Sequence, residues 1–285
     1  MIDLIQQRLD SYQISNPIEE EQALKEILQE VALYSLWRAD FFEVAAFQGG
    51  TSLRILHKLP RFSEDLDFIL KQPDADFAWE PFLGKLLKGL EEFGLRSEVL
   101  DKQQMERPVR TALLKDDSVA QQLNLSFYQG QRDQKLKIKL EIDAHPPAGS
   151  EFDYSYLDFP LDFEVCHQDL SSNFSLKLHA LLCRPYIKGR DWYDFNWYVK
   201  QGITPNLPHL EAALDQFGPW KGEHITVDMD WLAGTLSDRI ARIDWNEARR
   251  DVERFLGPAE KESLKLWTER FFAGKVVSLA KKVLT

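Results

Sequence analysis

Apolar positions recur at helical spacing near both ends of this chain and at strand spacing in its middle. Leu24, Ile27, Leu28, Val31 and Tyr34 return every three or four residues, the period of one helix face. Pro17 directly after Asn16, followed by Glu19 and Glu20, marks where that helix starts: proline suits a first helical turn, and carboxylates favour the positive end of the helix dipole. Between residues 41 and 166 the pattern is mixed, with strand-like stretches at 61–70, 96–100, 109–114, 122–128 and 136–143 and one amphipathic helix at 82–93. From Ser171 onward, 3.6-residue periods predict helices over 172–184, 191–200, 207–217, 231–243, 247–256 and 260–284.

This change of period predicts an α+β chain with a boundary near Gln168–Ser172. A core with a mixed β-sheet and an N-terminal helical layer would occupy 1–168, and a helical C-terminal unit 169–285. No repeat, low-complexity tract or long Gly/Ser linker separates them, so a short connection is expected. Hydrophobic residues at 44% and aromatics at 12% exclude a disordered chain. The net charge of −11 excludes wholesale coating of nucleic acid, so any such contact must be local. The two cysteines, Cys166 and Cys183, each follow an apolar residue, which suits a reducing cytoplasm better than a disulfide framework. No stretch reaches the roughly 18 apolar residues of a membrane span, and no membrane association is expected. The six histidines lack paired metal spacing, so zinc is not expected.

Chemistry concentrates in two short segments. Gly49-Gly50-Thr51 stands directly before Leu53-Arg54-Ile55-Leu56-His57, a run that reads as a helix start. Paired glycines let backbone amides approach an anion, and a helix N-terminus adds unsatisfied N–H groups. Downstream, Asp65 and Asp67 lie two apart in Arg61-Phe62-Ser63-Glu64-Asp65-Leu66-Asp67-Phe68. Strand spacing would put both carboxylates on one face, a donor pair suited to a hard cation such as Mg²⁺, with Mn²⁺ as an alternative. An isolated Asp-x-Asp fits a solvated acidic edge equally well, and Gly-Gly alone fits an ordinary turn.

Together, the two segments resemble the first motif of the AbiEii/AbiGii-type nucleotidyltransferase toxin family, a branch of the polymerase-β-like superfamily. The family pattern continues in a lysine-bearing strand with an acid, similar to Lys137-Ile138-Lys139-Leu140-Glu141-Ile142-Asp143. It then runs through a helix and turn similar to Lys177-Leu178-His179-Ala180-Leu181, Arg184 and Lys188-Gly189-Arg190-Asp191-Trp192-Tyr193-Asp194. These ordered matches span roughly residues 20–200, and residues 201–285 carry no matching motif.

The resemblance implies a polymerase-β-like core that moves a nucleoside monophosphate from an NTP to an acceptor and releases pyrophosphate. Asp65, Asp67 and Glu141 would be catalytic and hold the metal, with Asp143 the alternative third carboxylate. Period two puts Lys137, Lys139, Glu141 and Asp143 on one strand face. Lys177 would neutralise the triphosphate, and Asp191 would position it or the base. Gly49, Gly50, Thr51, Ser63, Arg184, Lys188, Arg190 and Asp194 would line the nucleotide site. The resemblance further implies a toxin of a toxin–antitoxin or phage-defence pair, with a cognate antitoxin and an RNA or tRNA end as acceptor. Lys135, Lys137, Lys139, Arg184, Lys188 and Arg190 would supply a local basic rim. The alternatives are transfer to a protein or small-molecule hydroxyl, and an NTP-binding regulatory module without turnover.

Overall fold

Asn16 starts the longest helix, α2 (Pro17–Trp37), by accepting hydrogen bonds from the backbone N–H groups of Ile18 and Glu19, both at 3.0 Å. α2 follows α1 (Ile2–Asp10), and it is buried on nearly every side, including its carboxylates Glu26 and Glu30. Those acids keep their place because Tyr12 and Arg54 donate to Glu26 at 2.9 and 2.7 Å, and Arg8 grips Glu30, as buried charge requires. The computed structural model describes residues 2–101, 108–116, 118–126 and 136–283. They fall into two compact units, one of residues 1–58, 62–146 and 152–167, the other of 59–61, 147–151 and 168–285.

In the first unit, β1 (Ala45–Gln48) leads directly into α3 (Gly49–His57), then β2 (Leu66–Leu70), α4 (Glu80–Glu92), β3 (Ser97–Asp101), β4 (Val109–Asp116), the short α5 (Val119–Gln122), β5 (Leu136–Asp143), β6 (Phe152–Leu157) and β7 (Phe163–Gln168). Among the described residues the strands form one seven-stranded sheet, in the order β3-β4-β5-β2-β1-β7-β6. It is mixed: β2 runs parallel to β5, and β1 to β7, while β1/β2, β3/β4 and β4/β5 are antiparallel. Leu66, Phe68, Ile138, Leu140 and Ile142 are all but fully buried on one sheet face, where α2 packs against β5 and α4. Trp79 stacks on Phe41 at 5.4 Å beside Phe68 and closes that core.

The second unit holds α6 (Leu170–Cys183), α7 (Gly189–Gln201), α8 (Leu207–Gln216), α9 (Met229–Ile240), α10 (Trp245–Glu253), α11 (Pro258–Ser263) and α12 (Glu269–Val283). Phe174 of α6 stacks on Tyr198 of α7 at 4.4 Å, and Trp245 on Phe272 at 4.3 Å. Trp192, Tyr193, Trp197 and Tyr198 are all buried, so this aromatic run is core. Gly189 belongs to the packing as well: a Cβ there would overlap the backbone carbonyl of Ala248 in α10, so only glycine lets α7 start this close.

Several expectations need correction. The strand expected over 61–70 begins only at Leu66. Of the strand expected over 122–128, Gln122 instead closes α5, residues 123–126 are irregular, and 127–128 lie outside the described residues. The helix expected over 260–284 is broken by a 3₁₀ turn, Leu264–Leu266, into α11 and α12. β1, β6 and β7 were not expected. No helix among the described residues is long and apolar enough to cross a membrane, and both cysteines are free thiols.

Candidate active site

Register places the carboxylates of the first unit. Asp67 on β2 lies opposite Glu141 on β5 and opposite Gln48 on β1. Strand partners project to the same face, so these side chains emerge on the polar face of the sheet, away from Leu66, Phe68, Leu140 and Ile142. Asp143 is the register partner of Ile69, two pairs further along, and one of its oxygens accepts from the backbone N–H of His145 at 2.9 Å. Burial raises the pKa of Asp143, against the pull of that bond. Gln48, Asp67, Phe68, Val109, Glu141 and Asp143 line a cavity of 210 Å³. Glu141 therefore sits nearer Asp67 in the ladder than Asp143 does.

The glycine segment adjoins this cavity through β1. Gly49 is the first residue of α3 and has φ +79°; a Cβ there would lie 2.6 Å from Oδ2 of Asp67. The peptide between β1 and α3 can thus lie against the carboxylate only because residue 49 has no side chain. Thr51 is fully buried, and its hydroxyl donates to the carbonyl of Asp65, so its side chain holds the Asp65 segment. Gly50 is buried as well, and Ser52 donates back to the Gly49 carbonyl at 2.9 Å. Ser63 is half-exposed, and its carbonyl accepts from Gln29 at 3.2 Å. Asp65 lies just ahead of β2 rather than in it.

Lys139 is the residue that motif reading undervalued. Its ammonium lies 2.6 Å from Glu141. Burial works against its charge, but the hydrogen bond and attraction of Glu141, with Asp65 and Asp67 beyond, outweigh that and raise its pKa. Period two on β5 was the available signal, since positions 139 and 141 share a face. Among the described residues no three His, Cys, Asp or Glu side chains stand close enough to hold one ion together. The donors are nevertheless all oxygens, the chemistry of a hard divalent cation, and Lys139 shows that this face accepts positive charge.

The helical unit carries a second charged cluster. Asp169 caps α6 by accepting from Ser172 at 2.9 Å, and Lys177 projects from that helix to Asp191 at 3.4 Å and Asp194 at 3.0 Å. Arg184, expected as the last residue of the helix over 172–184, lies just past it: α6 ends at Cys183, where Arg239 donates to the carbonyls of Leu181 and Arg184 at 3.1 and 2.7 Å. Arg184 still reaches Asp191, at 2.9 Å. Asp194 is fully buried and takes two bonds of 2.6 Å from Arg61, one on each carboxylate oxygen. The guanidinium of Arg190 lies 4.3 Å over the ring of Phe255. Lys188 stands directly before α7 without a capping bond from its side chain, and Lys135 lies outside the described residues.

The family model for the nucleotidyl transferase AbiEii toxin of type IV toxin–antitoxin systems matches residues 31–274. A Helicobacter pylori protein described as a nucleotidyltransferase is similar in structure, with a TM-score of 0.53 and 18% identity over 95% of this chain and 98% of its own. MenT4, a nucleotidyltransferase toxin from Mycobacterium tuberculosis, aligns with a TM-score of 0.49 and 16% identity over 98% of this chain and 99% of its own. No curated protein sequence matches the chain.

Proposed function

The chain belongs to the AbiEii nucleotidyltransferase toxin family, and from that premise we propose that it transfers a nucleoside monophosphate from a Mg²⁺-bound NTP to an RNA end, tRNA first among them, with release of pyrophosphate. The observation that carries the reading is the register of Asp67 opposite Glu141, with Gly49 against the same carboxylate. Asp65, Asp67 and Glu141 would hold the metal, drawn together around it when it binds, and the amides of Gly49 and Gly50 would face the phosphates with Ser63 beside them. Bound there, Mg²⁺, or Mn²⁺ in its place, would supply positive charge to the phosphoryl oxygens. Lys177, with Arg184 and Lys188, neutralises the triphosphate, and Asp191 and Asp194 keep Lys177 in place. Type IV membership implies a cognate antitoxin.

Incubation with each α-labelled NTP and separate RNA, protein and aminoglycoside pools tests this. Label is expected on RNA alone. Label confined to protein or drug would overturn the acceptor, and no label in any pool, with toxicity surviving Asp67→Asn, would leave a binding module in place of an enzyme.

Lys188 adds a pH dependence. Burial pulls its pKa down to about 8; Asp191 opposes that, while Lys177, Arg184 and Arg190 add to it. Its charge is therefore lost as pH rises through about 8, and NTP affinity is expected to fall over that range. The sign for stability is opposite: between about 8 and 10.5 the unfolded chain holds a proton that the fold does not, so stability rises with pH across that window. Equilibrium dialysis with labelled NTP on either side of pH 8 should show the loss in the parent and not in Lys188→Arg; equal slopes would remove Lys188 from the nucleotide site.

A further inference from the structure

We propose that Arg61 is a positioning residue that acts through Asp194 to set the place of Lys177. Arg61 precedes the Asp65–Asp67 segment in sequence, yet residues 59–61 cluster with the helical unit. Its side chain is 2% exposed and that of Asp194 is fully buried. The pair is a bidentate fork, Nε to Oδ1 and Nη2 to Oδ2, both 2.6 Å, a geometry that only a guanidinium supplies. Oδ2 of Asp194 is shared, for Lys177 donates to it at 3.0 Å. Lys177 also approaches Asp191, whose other oxygen meets Arg184.

Charge explains why the network needs Arg61. Three cations and two carboxylates leave one net positive charge. The exposed surface belongs to Lys177 and Arg184, whose side chains are 14% and 31% accessible, against 2% or less for the other three. Arg61 satisfies Asp194 from the buried side, so Lys177 is not needed to neutralise it alone and its charge remains available at the accessible end. Without Arg61, a fully buried carboxylate would keep Lys177 as its single cation and draw it inward. The task given to Lys177 rests on the nucleotidyl-transfer reading; the geometry does not.

The test compares Arg61→Met, Arg61→Lys and the double variant Arg61→Met/Asp194→Leu by thermal melting, by acetylation of Lys177 with acetic anhydride read by mass spectrometry, and by dialysis against Mg²⁺ and labelled NTP. Arg61→Met should lower the melting temperature, slow acetylation of Lys177 severalfold, and weaken NTP binding about ten-fold. The double variant should regain the melting temperature, because a buried ion pair can be replaced by apolar groups. It should also acetylate Lys177 faster than the parent, and its NTP binding should stay weak. Arg61→Lys, which keeps the charge and loses the fork, should fall between parent and Arg61→Met. Recovery of NTP binding together with stability in the double variant, or Lys177 acetylation at the parental rate in both variants, would reduce Arg61 to a structural role. If the parent binds no NTP while Lys177 reactivity shifts as described, the proposed function fails and the positioning role stands.

Discussion

Replacing Asp67 with asparagine is expected to lower monophosphate transfer by about 10³-fold, roughly 4 kcal/mol of transition-state stabilisation, while leaving the melting temperature near that of the parent. Asparagine keeps the volume and one oxygen, so the contacts of β2 with β1 and β5 persist. What it removes is the charge opposite Glu141. An octahedral Mg²⁺ relies on one or two protein carboxylates and takes its other ligands from water and phosphate, so a neutral amide is a poor substitute. The apolar face below, with Leu66 and Phe68 buried at 0% and 1% exposure, does not depend on that charge. Initial rates of label transfer, set beside a thermal melt, separate the two effects. A rate within about ten-fold of the parent would take Asp67 out of the metal site, since losing even a single electrostatic contact typically costs about 10²-fold or more.

The parts of this site that the sequence made visible are those governed by local rules. On β5, alternation from Leu136 to Asp143 follows the observed burial residue by residue, with Ile138, Leu140 and Ile142 inside and Glu141 on the other face. The start of α2 was readable because Asn16 and Pro17 act within one turn of chain. Ala45–Gln48 was not readable: β1 is four residues long and its first three are buried, so it shows neither alternation nor length. β7 is hidden for the same reason, with Phe163, Val165, Cys166, His167 and Gln168 all buried. Arg61 marks a different limit. It sits in a stretch whose apolar pattern continues into β2, yet its partner Asp194 lies 133 positions away, and periodicity carries no information at that range.

Motif residues also divide by burial in a way that residue type does not reveal. Thr51 and Asp194 fit the family pattern as well as Gly49 and Lys177 do, but both are fully buried. One fixes the segment that carries Asp65, and the other fixes Lys177. A hydroxyl or carboxylate in a motif can equally touch substrate or hold the group that does, and only its partners decide between the two. Gly189 belongs with them, since its reason is the carbonyl of Ala248. The distinction gives mutations at these positions different signatures. Loss of a supporting residue should lower stability together with activity, whereas loss of a carboxylate on the polar sheet face should lower activity alone.

Gly49→Ala should show a third signature, because one methyl group acts on both the backbone and the carboxylate. At φ +79° an L residue is strained, by about 1–2 kcal/mol for a left-handed conformation, so the melting temperature should fall modestly. The same Cβ would stand 2.6 Å from Oδ2, 3.0 Å from Cβ and 3.2 Å from Cγ of Asp67. Relief comes most cheaply by turning the Asp67 side chain off its present rotamer, which takes the carboxylate away from its place opposite Glu141. Transfer by the folded protein is therefore expected to fall by about 10²-fold, the scale of displacing a catalytic group by about an ångström. Gly84→Ala is the control, because nothing lies within 4 Å of a Cβ there and alanine is the better helix residue, by about 1 kcal/mol; its melting temperature should hold or rise and its transfer rate should match the parent. If Gly49→Ala melts lower but its folded fraction transfers at the parental rate, the closeness of Gly49 to Asp67 is a matter of packing alone, and the phosphate-facing role of the α3 N-terminus loses its main support.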